Sequence, residues 1–159
     1  MKEEKTNAVR LMAQKKLDFN LHSYLSSGAI SGIEVAEALG QVWGTVFKTL
    51  VTVGRSGAHY VYMVPVAEEL DLKKAAAVVG EKSIEMIKSK ELLPLTGYVH
   101  GGCSPVGMKK TFRTIADASM NNCNKIFFSG GKIGLQIETT PTELIKIVKL
   151  EFADIVKKL

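Results

Sequence analysis

Cysteine is scarce in this chain of 159 residues, and its scarcity excludes two classes of protein. Cys103 and Cys123 are the only cysteines. Their spacing suits neither a metal site nor a disulfide framework. The three histidines also lack a metal-like spacing with acids or thiols. The sequence therefore predicts a protein that is stabilised by its hydrophobic core and has no metal site.

Long hydrophobic runs are absent as well. No apolar run reaches the length that spans a membrane, and residues 1–6 are polar with no apolar signal core behind them. We therefore expect a soluble cytoplasmic protein that is not exported and does not contact a membrane.

Neither a dense basic block nor a linker or repeat interrupts the chain. Charged residues make up 23% and hydrophobic residues 46%, which is typical of a globular protein. The length predicts one domain, residues 1–159. The net charge of +5 comes from dispersed lysines. It permits binding to RNA phosphates, but on charge alone a solvated basic surface is the favoured interpretation.

Capping residues before apolar stripes predict the helices. We expect helices that begin near Thr6 or Asn7, at Ser31 (ending at Gly40), at Asp71 (ending at Gly80), at Ser83 and at Thr140. The last of these predicts a closing helix or helix pair with a stripe of Leu144, Val148, Phe152, Ile155 and Leu159.

β-branched and aromatic runs predict the strands. The expected strands are residues 19–25, 46–53, 58–65, 96–102, 111–118, 124–129 and 132–138, with tight turns at 54–57 and at Gly130-Gly131. Helices and hairpins are interspersed without regular βαβ alternation. The sequence therefore predicts an α+β fold with a mixed or antiparallel sheet and helices around it.

Lys48 stands out among the candidate functional residues. Strand alternation places it on the same face as Val46 and Leu50. A lysine among apolar neighbours must reach solvent or meet an anion, because an unpaired buried charge is costly. A protective edge-strand lysine and an anion-binding lysine both satisfy this pattern.

The segment from Gly101 to Lys110 is rich in glycine and ends in two lysines. Glycine lets backbone N–H groups approach an anion or an oxygen that becomes negative during reaction. The spacing resembles a nucleotide-binding P-loop, but Met108 stands where that motif needs lysine. Nucleotide triphosphate hydrolysis is therefore excluded, while a ligand loop and a plain glycine-proline turn remain open.

No nucleophile and base are paired convincingly in this sequence. Cys103 is three residues from His100, but an offset in sequence does not establish a hydrogen bond. A small buried thiol is the favoured interpretation of Cys103. His22 and His59 are interpreted as packed or solvent-facing strand residues.

Taken together, these segments resemble the YbaK family of aminoacyl-tRNA deacylases, which is related to the editing domain of bacterial prolyl-tRNA synthetases. The resemblance covers essentially the whole chain in order. It rests on residues 47–50, 65–67, 70–74, 96–98, 101–110, 129–132 and 152–155. It implies a partly barrel-like mixed sheet flanked by helices, no cofactor, and hydrolysis of cysteine mischarged on proline tRNA, with prolyl-tRNA synthetase as partner.

The resemblance also assigns roles to individual residues. It implies that the substrate thiol attacks its own ester, so that the protein only orients the ester and stabilises the oxyanion. Lys48, Gly101 and Gly102 would be the catalytic residues. The expected substrate-binding residues are Tyr24, Thr49, Ser104, Pro105, Ser129, Gly130 and Gln136.

Gln136 is a departure from the family pattern, because close relatives carry aspartate in this strand. A glutamine can hydrogen-bond to a substrate amino group but cannot form an ion pair with it. The preferred amino acid is therefore open. Deacylation of another small residue, such as alanine or serine, and a non-catalytic module that binds aminoacyl-tRNA or the synthetase are the alternatives. The sequence does not give the oligomeric state.

Overall fold

The structure is a computed structural model that describes residues 6–29 and 31–158. Its helices are α1 (Asn7–Gln14), α2 (Gly32–Ala38), α3 (Leu72–Val79), α4 (Ser89–Thr96) and α5 (Pro141–Ile145). Its strands are β1 (Asn20–Ser23), β2 (Phe47–Gly54), β3 (His59–Pro65), β4 (Ile84–Met86), β5 (Arg113–Asp117), β6 (Ile126–Ser129), β7 (Leu135–Thr139) and β8 (Leu150–Ala153). Three short 3-10 helices cover Leu25–Ser27, Trp43–Thr45 and Ala118–Asn122.

The strands form two sheets. One has the order β1-β7-β6 and is antiparallel, and the other has the order β4-β2-β3-β5-β8. In the larger sheet, β5 runs parallel to both β3 and β8, while β2 is antiparallel to β3 and β4. The predicted α+β fold with a mixed sheet is therefore confirmed. The sheets meet at one parallel bridge, between Val46 and Phe127, and the described strands form no closed barrel.

Both faces of the larger sheet are covered. In β3, Val61 and Met63 belong to the main core, while Tyr62 and Val64 belong to a second core under α3. Burial on both faces explains why this strand reads as a continuous apolar run rather than an alternating one. None of the helices within the described ranges is long and apolar enough to cross a membrane.

The capping signals at Ser31 and Asp71 hold in the structure. Ser31 and Glu34 form the reciprocal capping box of α2, and Asp71 caps α3 through the N–H groups of Lys73 and Lys74. Gly80 ends α3 with a φ of 75°. These local hydrogen bonds depend on few neighbours, which is why the sequence alone predicted them.

Three predicted elements were wrong, and in two of them pairing with a distant strand outweighs local propensity. The helix expected at Ser83 is instead strand β4, which pairs with Thr52–Gly54 of β2. The strand expected over 96–102 is instead the end of α4 and a turn. The Thr96 hydroxyl donates to the Leu92 carbonyl, and Gly97 ends the helix with a φ of 83°.

The chain end differs from the predicted closing helix as well. Helix α5 ends at Ile145, and β8 then pairs with the open edge of β5. The apolar residues of the predicted stripe do not share one helix face. Leu144 and Val148 pack in the main core, whereas Ile155 packs in the second core. Leu159, the last residue of the predicted stripe, lies outside the described residues.

This placement of Ile155 predicts a stability difference between two isoleucines. Ile155 is fully buried, whereas Ile145 at the end of α5 is 49% exposed. Ile155→Ala should lower the free energy of unfolding by about 2–5 kcal/mol, because it leaves a cavity. Ile145→Ala should change it by less than about 1 kcal/mol. Urea denaturation measures both, and equal losses would contradict the packing of the chain end described here.

Candidate active site

A cavity of about 500 Å³ lies beside the first half of β2, between the two sheets. It is within the range of small-molecule sites. The glycine segment closes one side, and α2 and the start of α4 contribute to the walls. Six of the predicted site residues line it together: Tyr24, Lys48, Thr49, Gly101, Ser129 and Gln136.

Strand β2 faces the cavity with an incompletely paired edge. Val66 N–H donates to the Val46 carbonyl and Gly54 N–H to the Ala58 carbonyl, so the even-numbered residues of β2 bond to β3. By the alternation of antiparallel pairing, the backbone groups of Thr49 are directed away from β3. On that other edge, β4 pairs with β2 from Thr52 onward, and Ile87 N–H donates to the Val51 carbonyl at 3.4 Å. The peptide groups around Thr49 are therefore available to a ligand.

The Thr49 side chain adds a further hydrogen-bonding group beside this edge. Its Oγ1 is buried and has no hydrogen-bond partner within the described residues. A buried hydroxyl without a protein partner is costly, so this Oγ1 is a hydrogen-bonding group that a molecule in the cavity can satisfy. Sequence reasoning selected Thr49 only by resemblance, because an unpaired hydroxyl cannot be read from a sequence.

Lys48 is half-buried in the cavity wall. Burial lowers the pKa of its ammonium group, while Glu69 and Glu68 act in the opposite direction. It takes part in none of the ion pairs that the described residues form. An anionic ligand in the cavity would raise this pKa again, which is the expected behaviour of an anion-binding lysine. The alternative of a purely protective edge lysine does not explain its place in the cavity.

The glycine segment has two parts with different tasks. Gly102 N–H donates to the Val99 carbonyl at 2.9 Å, and Gly101 between them has a φ of 87°. This combination is a type II turn, whose third position requires glycine. Gly101 lines the cavity, but Gly102 does not. The expectation that Gly102 supplies an oxyanion donor is therefore corrected, because its N–H is already bonded within the turn.

Residues 104–106 of the glycine segment are packed inside the protein. Ser104 is fully buried and accepts from the Val106 N–H, while Pro105 is also buried, and neither lines the cavity. The Tyr98 hydroxyl donates to the Val106 carbonyl at 2.6 Å. Direct substrate contact by Ser104 and Pro105, expected from the resemblance, is thus not what the structure provides. Their place is structural.

Gly102 instead joins the glycine segment to the β6–β7 turn. A Cβ atom on Gly102 would lie 2.8 Å from Lys132 Cα and 2.9 Å from the Ile133 backbone nitrogen. Gly130 belongs to the same turn and is buried outside the cavity lining. Two backbones therefore touch directly beneath the cavity, and only glycine at position 102 allows this approach.

Cys103 lines the cavity but is poorly suited to act as a nucleophile. It is 8% exposed, and burial raises the pKa of its thiol to about 12. The thiolate that a cysteine nucleophile needs is therefore scarce near neutral pH. His100 also lines the cavity, but no hydrogen bond joins it to Cys103 in the described part of the chain.

Gln136 is held by a residue that sequence reasoning missed. Gln41 Nε2 donates to Gln136 Oε1 at 2.6 Å, and Gln136 Nε2 donates to Gln41 Oε1 at 2.9 Å. The two residues are 95 positions apart, so no local pattern joins them. Tyr24 and Ser129 lie in the same cavity, Tyr24 being 7% exposed.

No aspartate or glutamate is present among the described residues that line the cavity. Its charged residues are lysines, Lys48 and Lys88. The described residues also contain no group of three His, Cys, Asp or Glu side chains that could hold a metal ion. The arrangement can therefore bind an anionic group and supply hydrogen bonds to it.

Comparison with known proteins agrees with this geometry. Residues 29–147 match the family described as the aminoacyl-tRNA editing domain. The chain belongs to this family. The match includes β2, the glycine segment and both β6 and β7, and so covers most of the cavity wall.

Individual members of the editing family resemble the chain closely. A protein of Enterococcus faecalis named as a candidate Cys-tRNA(Pro)/Cys-tRNA(Cys) deacylase is 41% identical over 98% of this chain and 96% of its own length. A crystal structure of a candidate trans-editing enzyme for prolyl tRNA synthetase is 27% identical, with a TM-score of 0.81, and covers 95% of this chain and 93% of that one. A proline–tRNA ligase of Thermosipho africanus is 35% identical over 62% of this chain, which corresponds to 17% of the ligase.

The backbone contact at Gly102 predicts a selective loss of stability. Gly102→Ala should lower the free energy of unfolding by about 1–3 kcal/mol, because the added methyl group meets backbone atoms that cannot rotate away. Gly44→Ala is the matched control, since a Cβ there meets nothing within 4 Å. It should change stability by about 0.5 kcal/mol or less. Chemical denaturation compares them, and a tolerated Gly102→Ala would contradict the close approach.

Proposed function

We propose that this protein is an aminoacyl-tRNA deacylase that hydrolyses the ester of cysteine mischarged on proline tRNA. The observation that carries the proposal is the cavity in which Lys48, Thr49 and Gly101 come together within an editing-family fold. The name of the E. faecalis relative supports cysteine as the amino acid and proline tRNA as the carrier.

Each wall of the cavity has a task in this proposal. Lys48 binds the phosphate or the developing negative charge at the 3′ end of the tRNA. The N–H of Gly101 faces the ester oxygen, and the peptide edge at Thr49 orients the aminoacyl group. Tyr24, Ser129 and Gln136 surround the amino acid. Gly102 acts indirectly, by holding the glycine segment against the β6–β7 turn.

The sulfur of the substrate makes the new bond in the proposed reaction. The cysteinyl thiol attacks its own ester carbonyl, a carbon–sulfur bond forms, and the carbon–oxygen bond to the ribose breaks. The thiol proton passes to the leaving ribose oxygen, and water then opens the strained thiolactone to free cysteine. The high pKa and burial of Cys103 support this route, because they leave the protein thiol without a part in it.

A separate protein would supply selectivity for the tRNA. A cavity of about 500 Å³ can hold an amino acid and part of the terminal nucleotide, so the rest of the tRNA lies outside it. We propose prolyl-tRNA synthetase as the partner and the cytoplasm as the compartment. The match to part of a proline–tRNA ligase and the description of the trans-editing enzyme support this partner.

Replacing Lys48 tests its role directly. Lys48→Met keeps the length of the side chain and removes the charge, so kcat/KM for cysteinyl-tRNA(Pro) should fall about 100-fold or more. Lys90→Met is the matched control, because Lys90 is exposed on α4 outside the cavity lining, and it should keep wild-type activity. Release of labelled cysteine with chelator present measures both. Wild-type rates for Lys48→Met would remove this lysine from the mechanism.

Replacing the substrate sulfur tests the proposed chemistry. The 2-aminobutyryl ester of the same tRNA carries a methyl group in place of the thiol. Its hydrolysis should be at least about 100-fold slower than that of the cysteinyl ester, since the intramolecular nucleophile is lost.

The Cys103→Ala variant serves as a control for this comparison, because it removes the protein thiol and should hydrolyse the cysteinyl ester at close to the wild-type rate. Equal rates on the two esters would contradict substrate-assisted cleavage.

A further inference from the structure

The pairing of Gln41 with Gln136 fixes the orientation of both side-chain amides. Each amide donates one N–H to the other and accepts one, at 2.6 and 2.9 Å. Turning one amide alone would place N–H against N–H and oxygen against oxygen, so the two can only turn together. Gln136 is 3% exposed, and a buried amide that lost this partner would be left unsatisfied.

The hydrogen bonds at the end of α2 fix the position of Gln41. Its N–H donates to the Ala36 carbonyl at 2.8 Å, while Gly40 N–H donates to the Glu37 carbonyl at 3.2 Å. Gly40 has a φ of 67°. This is the Schellman motif, in which the left-handed glycine fixes the residue that follows it. Gly40, which the sequence predicts as the end of this helix, therefore also places Gln41 within hydrogen-bonding distance of Gln136.

The pair leaves each amide with one free N–H and one free oxygen lone pair. Gln136 lines the cavity, so it presents a polar group that carries no charge. A carboxylate at this place would attract an ammonium ion. A glutamine that is locked by a second glutamine offers only hydrogen bonds.

The charges around the cavity disfavour the binding of a cation in it. The titratable groups that line it are Tyr24, Lys48, Lys88, His100 and Cys103. Glu68 and Glu69 act on Lys48 without lining the cavity, and the acidic residues of α2, Glu34 and Glu37, are exposed. Near Gln136, His22 and Lys125 share the carboxylate of Glu138, at 2.7 and 3.5 Å. This acid lines a neighbouring cleft rather than the cavity.

Building on the deacylase function proposed above, we propose that the Gln41–Gln136 pair makes the amino-acid end of the cavity a neutral subsite, which binds the aminoacyl ester with its α-amino group uncharged. Gln41 is the residue that positions Gln136. An α-ammonium group would find no carboxylate counter-ion in the described cavity lining, whereas a neutral amine can use the free N–H and lone pair of Gln136.

Two non-hydrolysable ligands test this inference on the whole protein. The first is adenosine that carries cysteine in amide linkage at the 3′ position, and the second is the 3-mercaptopropionyl counterpart, which lacks only the amino group. Calorimetry measures the Kd of both between pH 6 and pH 8. An α-amino group of ordinary pKa increases its neutral fraction about 30-fold over this range, so the Kd of the first ligand should tighten at least about tenfold.

The second ligand and two variants separate the causes. The Kd of the deaminated ligand should change little with pH, which controls for pH-dependent changes in the protein itself. In Gln136→Asp, the pH dependence for the first ligand should shrink to within about threefold or reverse, because the carboxylate accepts an ammonium group. In Gln41→Leu, the first ligand should bind about five- to tenfold more weakly at pH 8, and the deaminated ligand should bind unchanged.

The possible failures are distinguishable. If neither ligand binds at any pH, the proposed deacylase function is overturned and this inference with it. If both bind but the Kd of the first ligand is flat or tightens toward pH 6, this inference alone is overturned. Thermal unfolding checks that the variants fold, and the wild-type comparison of the two ligands decides the question without them.

Discussion

The unequal pairing of β2 is the constraint on which the candidate site depends. One edge of this strand is bonded to β3 along its whole length, while β4 covers the other edge only at Thr52–Gly54. Between the Val46–Phe127 bridge and β4, the stretch of β2 around Thr49 is held by β3 on one side and is open on the other. A rigid strand with an open edge places Lys48 and Thr49 accurately without covering them.

The sequence predicted those elements correctly whose structure is determined by interactions among residues close together in the chain. The hairpin of β2 and β3, the capping box at Ser31 and the glycine ends at Gly40 and Gly80 follow from bonds among neighbouring residues. Prediction failed where the cause lies elsewhere in the chain. The β4 segment, expected as a helix from Ser83, becomes a strand because β2 offers an edge, and residues 150–153 do so because β5 offers another.

The same division applies to the candidate site. Lys48 could be selected from alternation alone, because a lysine between apolar residues of one strand face is anomalous. Gly101 could be selected from composition. Gln41 could not, because its importance arises only from Gln136, 95 residues away. The unpartnered Thr49 hydroxyl is a property of the packed interior that no sequence pattern encodes.

The glycine segment shows why a motif should be divided before it is assigned a function. Gly101 needs its left-handed backbone to form the turn that borders the cavity, whereas Gly102 needs only the absence of a side chain, so that the β6–β7 turn can approach. Gly107, which is outside the cavity lining, meets both requirements, since its φ is 78° and a Cβ atom there would lie 2.9 Å from Tyr98 and Asn7. The three glycines of one motif thus differ in their requirements. Because a rigid, packed support lies behind it, the turn at Gly101 can present its N–H in a fixed direction, and that preorganisation is what stabilisation of an oxyanion requires.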